Sequence, residues 1–482
     1  GVRNALAAAS AMDYGTIGAD QKPVVRSAAD CAPFRRAPEP DGEQRRTLLA
    51  VRALTCVSAA AEGYDIGMVS GVLVLIKESL DLDKVGASAF VGVFGFACAL
   101  GALAGGRVAD LLGRKLGLAT TYALLVVGSV LLALSTGVVS AVAGRVLHGA
   151  GVGAGFVCVS LYLSELSPAH SRGAMVGLEA FFLNAGMLAA AGGNYLVLGS
   201  TGSSDSDWRL MVLLSAVLPL ACAAALLACG GLPESPRWLR LQGRTREAVE
   251  ALRRVCDEAE VERARASWSL AEADPAAGWL EVLRPTAPRK RRALVSGVGV
   301  ASLQMLSGET VIIYYSSLIL SAEMGRREAF SGSLAMILAK LALLAVPLAL
   351  VDRVGRRPLL LASSGLMSGA MGLLGCCYLA RAAAWLKVLA LCACTGAFSV
   401  GLGCVVYVYV SEVFGSRERA KGSALAFFVS RVVNGLVTSA FPFVEAGLGM
   451  AGAWFGFAGV LLAGVGFVAA FVEETSCRPL ED

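Results

Sequence analysis

Two carboxylates, Glu62 and Asp65, lie three residues apart inside a long apolar stretch near the start of the chain. That spacing places two side chains on the same face of a helix. Neighbouring carboxylates in a low-dielectric surrounding resist being ionised together, so one of them readily holds a proton. A group that loads a proton on one side of a barrier and releases it on the other is a proton carrier. We therefore interpret Asp65, with Glu62 beside it, as a candidate proton-coupling site.

Arg145 is the candidate counter-ion for this site, because it also falls inside an apolar stretch. An ion pair between Asp65 and Arg145 would hold the carboxylate ionised, and protonation of Asp65 would release the arginine. A buried ion pair that only supports the fold is the alternative. The residue types alone favour neither interpretation.

A second set of charges falls inside apolar stretches later in the chain. Glu309 and Lys340 are placed to pair across neighbouring helices, and Glu179 and Arg431 are further buried charges. Charged groups inside a membrane are expensive to bury and therefore candidates for function. We interpret these four as packing or substrate contacts rather than as a second proton site.

Amide, hydroxyl and aromatic side chains accompany these charges. A neutral, polyhydroxylated solute is recognised by amide and hydroxyl hydrogen bonds beside an aromatic surface. Packing between helices, or a place at the bilayer interface, is the alternative for any single tyrosine. We predict a site for a small neutral sugar or polyol, lined by Asn184, Gln304, Ser307, Thr310, Tyr314, Lys340, Tyr407 and Arg431.

Two charged phrases occur once in each half of the chain. Asp110-Leu-Leu-Gly-Arg-Lys115 returns as Asp352-Arg-Val-Gly-Arg-Arg357, and Ser164-Glu165 returns as Ser411-Glu412. Phrases that repeat in step indicate two homologous halves. Helix capping and membrane topology are the simpler explanation for one phrase alone. We predict a cytoplasmic gate of carboxylate–guanidinium pairs among Asp110, Arg114, Glu165, Arg172, Asp352, Arg356, Glu412 and Arg419.

The elements that must position these residues are membrane-spanning helices. The chain has 482 residues, of which 56% are hydrophobic and only 16% charged, too few charges to cover the surface of a soluble protein of this length. Apolar runs of about 20 residues match the thickness of a bilayer core. We predict twelve spans, at 48–76, 86–106, 116–135, 138–163, 173–199, 209–231, 293–320, 330–351, 358–380, 385–411, 420–443 and 449–472.

The distribution of basic residues predicts the orientation. Most of the 42 Lys and Arg residues fall in cytoplasmic segments if the N-terminus is inside, which agrees with the positive-inside rule. Both termini are therefore predicted to be cytoplasmic. The predicted organisation is a disordered cytoplasmic tail at 1–47, a six-helix bundle at 48–231, a cytoplasmic linker with short amphipathic helices at 232–292, a second six-helix bundle at 293–472 and a cytoplasmic tail at 473–482.

Other classes of function find little support in the sequence. The 13 Cys and 2 His residues form no metal-ligand spacing and no disulfide framework. The net charge of +5 follows from the topology bias, so we expect no nucleic-acid partner. No nucleophile–base set or phosphate-binding loop appears in the sequence, and we expect neither an enzyme nor a cofactor or metal.

Several motifs match those of a known family. They are Gly63-Tyr-Asp-Ile-Gly67, Gly106-Arg107 through Gly113-Arg-Lys115, Gly144-Arg145, Pro233-Glu-Ser-Pro-Arg-Trp238, Asp352-Arg-Val-Gly-Arg-Arg-Pro358 and the end from Glu474-Thr475 to Asp482. On these motifs, residues 48–482 resemble the sugar porter family of the major facilitator superfamily. Lys340, Asn194-Tyr195 and Arg431-Val432 look most like the plant-type polyol and monosaccharide proton symporters within it.

The resemblance implies an all-α integral membrane fold with two pseudo-symmetric six-helix bundles, and transport by alternating access. It also implies that Asp65 is the protonation site and Arg145 its partner. We therefore expect a protein that moves a monosaccharide or polyol with a proton across the plasma membrane, working as a monomer. An uncoupled facilitator, a non-transporting sugar sensor, and a vacuolar or plastid membrane stay open.

The chain departs from the family pattern at the sugar pocket. Two amide positions in span seven read Met305 and Thr310, and the span-five glutamine position reads Ala180. In span ten, Tyr407 takes the place of a tryptophan. The coupling and gate positions are better preserved than the pocket, so the sequence does not name the substrate.

Overall fold

The computed structural model of the protein describes residues 41–167, 172–228, 232–270, 278–415 and 417–475. Of the two predicted tails, residues 1–40 and 476–482 lie outside these ranges. Within them, eleven helices are long and apolar enough to cross a membrane. The first six spans are Gly42–Ser79, Lys84–Leu112, Arg114–Ala133, Val138–Leu166, Arg172–Val197 and Ser204–Ala228.

The second six spans come from five helical segments, because the last segment is interrupted. Gly449 has φ 71° and ψ 169° inside the 53-residue helix Arg419–Phe471, and this break separates span eleven from span twelve. The other four spans are Pro288–Ser321, Arg326–Val351, Arg356–Leu379 and Ala384–Val413. The prediction of an all-α membrane protein with twelve spans is confirmed, and the chain is a multi-pass membrane protein.

Span one begins at Gly42, inside the region predicted as a disordered tail. The reason is local. The Asp41 side chain accepts hydrogen bonds from the backbone of Glu43 and Gln44, and the Gln44 side chain accepts one from the backbone of Asp41. This capping box satisfies N–H groups that a helix start leaves unpaired. The side chain of Gln44 also donates to the carbonyl of Cys256, which ties the start of span one to the linker.

Spans seven and ten are each broken near their middle. In span seven the helix Pro288–Leu306 ends and a second helix, Glu309–Ser321, begins after Gly308, whose φ of 80° is in the left-handed region that favours glycine. In span ten the helix Ala384–Val400 is followed, after residues 401–404, by Val405–Val413. Interrupted membrane helices leave backbone groups available for a ligand or for side chains.

The linker between the halves contains short helices. They are Pro236–Leu241, Thr245–Arg253, Glu258–Leu270 and Trp279–Leu283. Thr245–Arg253 is amphipathic, and its Ala248 and Ala251 pack in a small cluster with Trp238 and Leu239. We call the end of the bundle where these helices lie the linker face, and the other end the opposite face.

The two halves contact each other toward the opposite face. The Ser88 hydroxyl in span two donates to the carbonyl of Ser439 in span eleven at 2.6 Å. Glu78, at the end of span one, forms an ion pair with Arg326, at the start of span eight. Deeper in the bundle, the Ser317 hydroxyl of span seven donates to that of Ser70 in span one at 3.3 Å. These contacts bridge the halves from the opposite face to the bundle interior.

Candidate functional site

Asp65 lies at the centre of a buried polar cluster in the first half. Its Oδ2 is 3.6 Å from Nη1 of Arg145, and its Oδ1 is 3.0 Å from Nδ1 of His148. All three side chains are almost fully buried, at 3%, 0% and 0% exposure. Span one supplies the carboxylate and span four supplies both partners, so the two predicted coupling residues do lie together.

The contacts within this cluster are short but poorly aligned. Several polar atoms of the cluster have no aligned hydrogen-bond partner within the described residues. They are both carboxylate oxygens of Asp65, all three guanidinium nitrogens of Arg145 and Nδ1 of His148. Arg145 is held instead by two aromatic rings, 4.5 Å from the centre of Phe94 and 5.5 Å from that of Phe90. A carboxylate without aligned donors is held less firmly in its ionised form than one in a bidentate ion pair.

His148 continues the cluster on its other side. Its Nε2 is 3.0 Å from the hydroxyl of Ser129 in span three, which lies 2.8 Å from the hydroxyl of Ser215 in span six. This histidine is not among the residues predicted from the sequence to carry a function. A signal was present, because His148 follows Arg145 by three residues and therefore shares its helix face.

Glu62 faces a different part of span four from Asp65. Its side chain lies against Gly155, in a space that a Cβ at that glycine would fill. It is 1% exposed, and neither carboxylate oxygen has a hydrogen-bond partner among the described residues. Its charged neighbours are Glu179 and Arg431, and Glu179 accepts a hydrogen bond from Ser160 at 3.0 Å. Glu62 thus connects the first half electrostatically with Arg431 of the second.

Glu309 and Lys340 form a buried ion pair in the second half. Nζ of Lys340 is 2.5 Å from Oε1 of Glu309, and the side chains are 8% and 5% exposed, respectively. Lys340 also lies over the ring of Phe398 and close to the sulfur of Met187 in span five. The pair therefore lies where the second half meets the first.

The polar residues at the break in span seven differ in their hydrogen bonding. The Gln304 amide donates to the carbonyl of Leu402 at 2.7 Å, so it ties together the two broken spans. The Ser307 hydroxyl donates to the carbonyl of Gln304. By contrast, the buried hydroxyl of Thr310 has no partner among the described residues. In this conformation Thr310 has unused hydrogen-bonding capacity, whereas the Gln304 amide already has a partner.

The remaining predicted substrate residues lie around Arg431 and in span five. Nη2 of Arg431 donates to the Tyr407 hydroxyl at 3.1 Å, and the Tyr407 ring stacks on that of Phe427. Tyr314 has both Arg145 and Arg431 among its charged neighbours, so it lies between the Asp65 cluster and this group. Asn184 donates to the carbonyl of Ala180, and its amide oxygen has no partner in the described part of the chain.

Three of the predicted gate residues of the first half, Asp110, Arg114 and Glu165, form one network at the linker face. The guanidinium of Arg114 makes two hydrogen bonds to Glu165, at 2.8 and 3.1 Å. It also donates to Asp110 at 3.2 Å and to the carbonyl of Ala109. Two parallel bonds to one carboxylate fix the arginine in direction as well as in charge.

The second half repeats this network. Arg356 makes two hydrogen bonds to Glu412, at 3.1 and 2.9 Å, and donates to the carbonyl of Val351. Arg419 donates to the carbonyl of Phe414. The side chains of Arg172 and Asp352 lie outside the described residues. The Arg114–Glu165 and Arg356–Glu412 pairs each join helices of the same half.

Two further carboxylates, Glu234 and Glu474, complete the symmetry of these two networks and were not predicted from the sequence. Glu234 accepts from the backbone N–H groups of Arg114 and Lys115, at 2.9 and 3.2 Å. Glu474 accepts from those of Arg356 and Arg357, at 2.9 and 3.0 Å. Each of them caps the start of a helix that follows a glycine. These glycines are Gly113, with φ 99°, and Gly355, with φ 94°. The paired phrases Glu234-Ser235 and Glu474-Thr475 were the available signal.

Replacing Glu234 with Ala is expected to destabilise the protein by about 0.5–2 kcal/mol, because two N–H groups at the start of span three lose their acceptor. Replacing Glu474 with Ala is expected to have a similar effect at span nine. The measurement is thermal unfolding of the purified protein in detergent. The matched control is Glu258→Ala. The side chain of Glu258 is 61% exposed and forms its ion pair on the protein surface. An unchanged melting temperature for both cap variants would contradict the assignment.

No group of His, Cys, Asp and Glu side chains within the described ranges is arranged to hold a metal ion. Among the ten cysteines that the structure describes, all are free thiols.

The sequence is similar to a known protein family and to individual members of it. Residues 51–482 match the family described as "Sugar (and other) transporter". The probable polyol transporter 4 of Arabidopsis thaliana is 31% identical over 465 residues, which cover 93% of this chain and 86% of that protein. The probable polyol transporter 6 of the same plant is 32% identical over 473 residues, covering 92% and 94%.

Solved structures show the same fold. The xylose transporter XylE from E. coli, in a partially occluded inward open conformation, superposes with a TM-score of 0.77. The sequence identity is 22%, and the superposition covers 90% of this chain and all of that one. A second XylE structure, that of a proton:xylose symporter bound to 6-bromo-6-deoxy-D-glucose, gives a TM-score of 0.76 at 23% identity.

Proposed function

The chain belongs to the sugar transporter family, and from that membership we propose that it moves a monosaccharide or a polyol across a membrane together with a proton. The observation that carries the coupling is the buried contact between Asp65 and Arg145. An uncoupled carrier has no need of a carboxylate in its interior, where burial is expensive. Here the acid is buried, close to a cation, and without aligned donors in the described residues.

The proposed cycle uses the charge of Asp65. While Asp65 is ionised, it attracts Arg145, and the net charge of the two groups is zero. A proton on Asp65 removes this attraction, so the arginine becomes available to other acceptors. Tyr314, which belongs to the second half of the molecule, packs edge-on against Phe94, the ring over which Arg145 lies. Movement of Arg145 toward or away from Tyr314 would couple the protonation state to contacts between the halves.

The proposed substrate is a small neutral molecule with several hydroxyl groups. Relatives that cover most of this chain are named polyol transporters. Acceptor atoms without partners, on Asn184 and Thr310, and the aromatic stack of Tyr407 on Phe427 suit hydroxyl groups and a sugar face. The contact of Arg431 with the Tyr407 hydroxyl would orient that aromatic surface.

Alternating access is the proposed mode of transport. The halves are in contact toward the opposite face. At the linker face, the Arg114–Glu165 pair lies within the first half and the Arg356–Glu412 pair within the second.

We assign the linker face to the cytoplasm, with both termini inside, and we assign the protein to the plasma membrane. The protein would act as a monomer in the lipid bilayer and bind no nucleic acid. The networks of Arg114 and Arg356 would form the gate when the halves close at the linker face.

Uptake measurements test this proposal. Transport-deficient cells that express the chain are given labelled hexoses, pentoses, polyols and inositol, with and without a protonophore. We expect at least one of these solutes to accumulate, and the protonophore to abolish the accumulation. Uptake that only equilibrates and ignores the protonophore would indicate an uncoupled facilitator. No uptake of any solute, from a protein shown to reach the membrane, would contradict the transport proposal.

A further inference from the structure

His148 is a buried group that lies closer to Asp65 than Arg145 does. Nδ1 of His148 lies 3.0 Å from Oδ1 of Asp65, while Nη1 of Arg145 lies 3.6 Å from Oδ2. Imidazole is the side chain that ordinarily gains and loses a proton near neutral pH. The site therefore contains two proton-accepting groups in contact, together with one permanent cation.

We propose that His148 is a second proton-binding residue of the coupling site, which shares the transported proton with Asp65. This rests on the proposed proton coupling and extends it to a residue outside the Asp65–Arg145 pair. In the transfer step, the Nδ1–H bond of the imidazolium breaks and an O–H bond forms on Oδ1 of Asp65. The charged pair becomes a neutral carboxyl group and a neutral ring, and the reverse step restores it. No other reactant is needed.

The surroundings of His148 supply few other charges. Span one contributes Asp65, and span four itself contributes Arg145. Among the described residues, spans three and six contribute the hydroxyls of Ser129 and Ser215. From the second half, Tyr314 is the titratable neighbour of Arg145. The charged groups that the structure places beside His148 are therefore the carboxylate of Asp65, which it contacts, and the guanidinium of Arg145 on the other side of that carboxylate.

The chain makes room for the ring and gives its far side a partner. A Cβ on Gly128 would lie 2.5 Å from Cδ2 of His148, so a glycine at this position leaves space for the imidazole. Nε2 meets the Ser129 hydroxyl at 3.0 Å, and a hydroxyl can either donate to a neutral ring or accept from a protonated one. The partner thus tolerates both charge states of the histidine.

A substrate-independent test uses the small number of histidines. The chain has 2 of them, so His170→Gln leaves His148 as the single histidine in the full-length protein. Its ring is labelled with ¹⁵N and followed by NMR in lipid nanodiscs between about pH 5 and 8.5, the range around the ordinary imidazole transition. We expect the signal to titrate, and Asp65→Asn to move the midpoint down by about one pH unit or more, because an anion in contact is lost.

Two outcomes of this test would overturn the proposal. One is a ring signal that stays constant across the pH range, because such a histidine binds no proton. The other is a midpoint that Asp65→Asn leaves in place, because the two groups would then not share a proton. Neither outcome depends on the identity of the substrate, so the test remains decisive even if none of the tested solutes is transported.

Transport by position-specific variants provides the functional half of the test. His148→Asn retains an N–H donor near the position of Nδ1, but asparagine does not titrate. If His148 only positions Asp65, that donor is sufficient and the variant should behave like the natural chain. We expect the pH profile of solute accumulation, normalised to counterflow by the same variant, to shift its midpoint by about one pH unit. A profile that superimposes on the wild-type curve would assign His148 a positioning role and contradict proton sharing.

Discussion

Replacing Asp65 with Asn is expected to abolish accumulation of the solute while exchange across the membrane persists. Asparagine has nearly the shape of aspartate, so the packing against Arg145 and His148 is retained. It neither binds nor releases a proton, so the membrane potential and the pH gradient no longer drive the solute. Counterflow requires no net proton movement and reports whether the binding site still moves between the two sides.

The expected size of this effect follows from the driving force. A charge that crosses a membrane potential of about 100 mV gains about 2.3 kcal/mol. Each 1.4 kcal/mol corresponds to a factor of ten in an equilibrium ratio, so coupling to one proton sustains roughly 50-fold accumulation. We expect that ratio in proteoliposomes with an imposed potential for the natural chain, and a ratio near one for Asp65→Asn.

The control for this experiment is Glu247→Gln, which removes a carboxylate on the surface of the linker. That side chain is 51% exposed and pairs with Arg244 on the same helix, so accumulation should match that of the natural chain. Accumulation that survives Asp65→Asn at full strength would show that the coupling proton is carried elsewhere. His148, proposed above to share the proton, and Glu62, buried without a hydrogen-bond partner in the described residues, would then be the next candidates.

Removing one partner of the Glu309–Lys340 pair is expected to cost about 3–5 kcal/mol of stability, the usual range for a buried charge left without its partner. Lys340→Met leaves the carboxylate of Glu309 unpaired, with its side chain only 5% exposed. Glu309→Gln leaves the ammonium group unpaired. Each single variant should melt well below the natural chain and yield less folded protein in detergent.

The double variant separates the structural role of this pair from a role in substrate binding. With both charges removed, the desolvation cost disappears, and stability should return to within about 1 kcal/mol of the natural chain. If Lys340 also binds the substrate, the stable double variant will transport poorly or with a raised KM. A single variant as stable as the natural chain would contradict the buried ion pair.

The spans illustrate what can be predicted from local sequence. Each apolar run in the sequence corresponds to a helical span, because the length of the hydrocarbon core sets the length of the run. The start of the first helix differs, since the capping box at Asp41 and Gln44 extends it into the charged region before the apolar run. The break at Gly449 separates spans eleven and twelve at the predicted boundary between them.

The candidate site illustrates what cannot be predicted in this way. Glu62 and Asp65 share a helix face in the sequence, yet one faces Gly155 and the other meets His148. The arginines predicted to form the gate have partners on other helices. The capping roles of Glu234 and Glu474 follow from their contacts with helix starts in the folded chain. Gln304, predicted to line the substrate site, also ties the break in span seven to that in span ten.

The sequence by itself determined the membrane spans, the duplicated halves and which charges are buried in the bilayer. These properties depend on hydropathy and on repetition, and both can be read along the chain. The tertiary structure decided the partner of each buried charge. The distance from Asp65 to His148 depends on how spans one and four are rotated and packed, and that rotation is set by contacts among many helices at once. Asp65 is therefore recognisable from the sequence as a candidate coupling residue, whereas its contact with a histidine is visible only in the folded molecule.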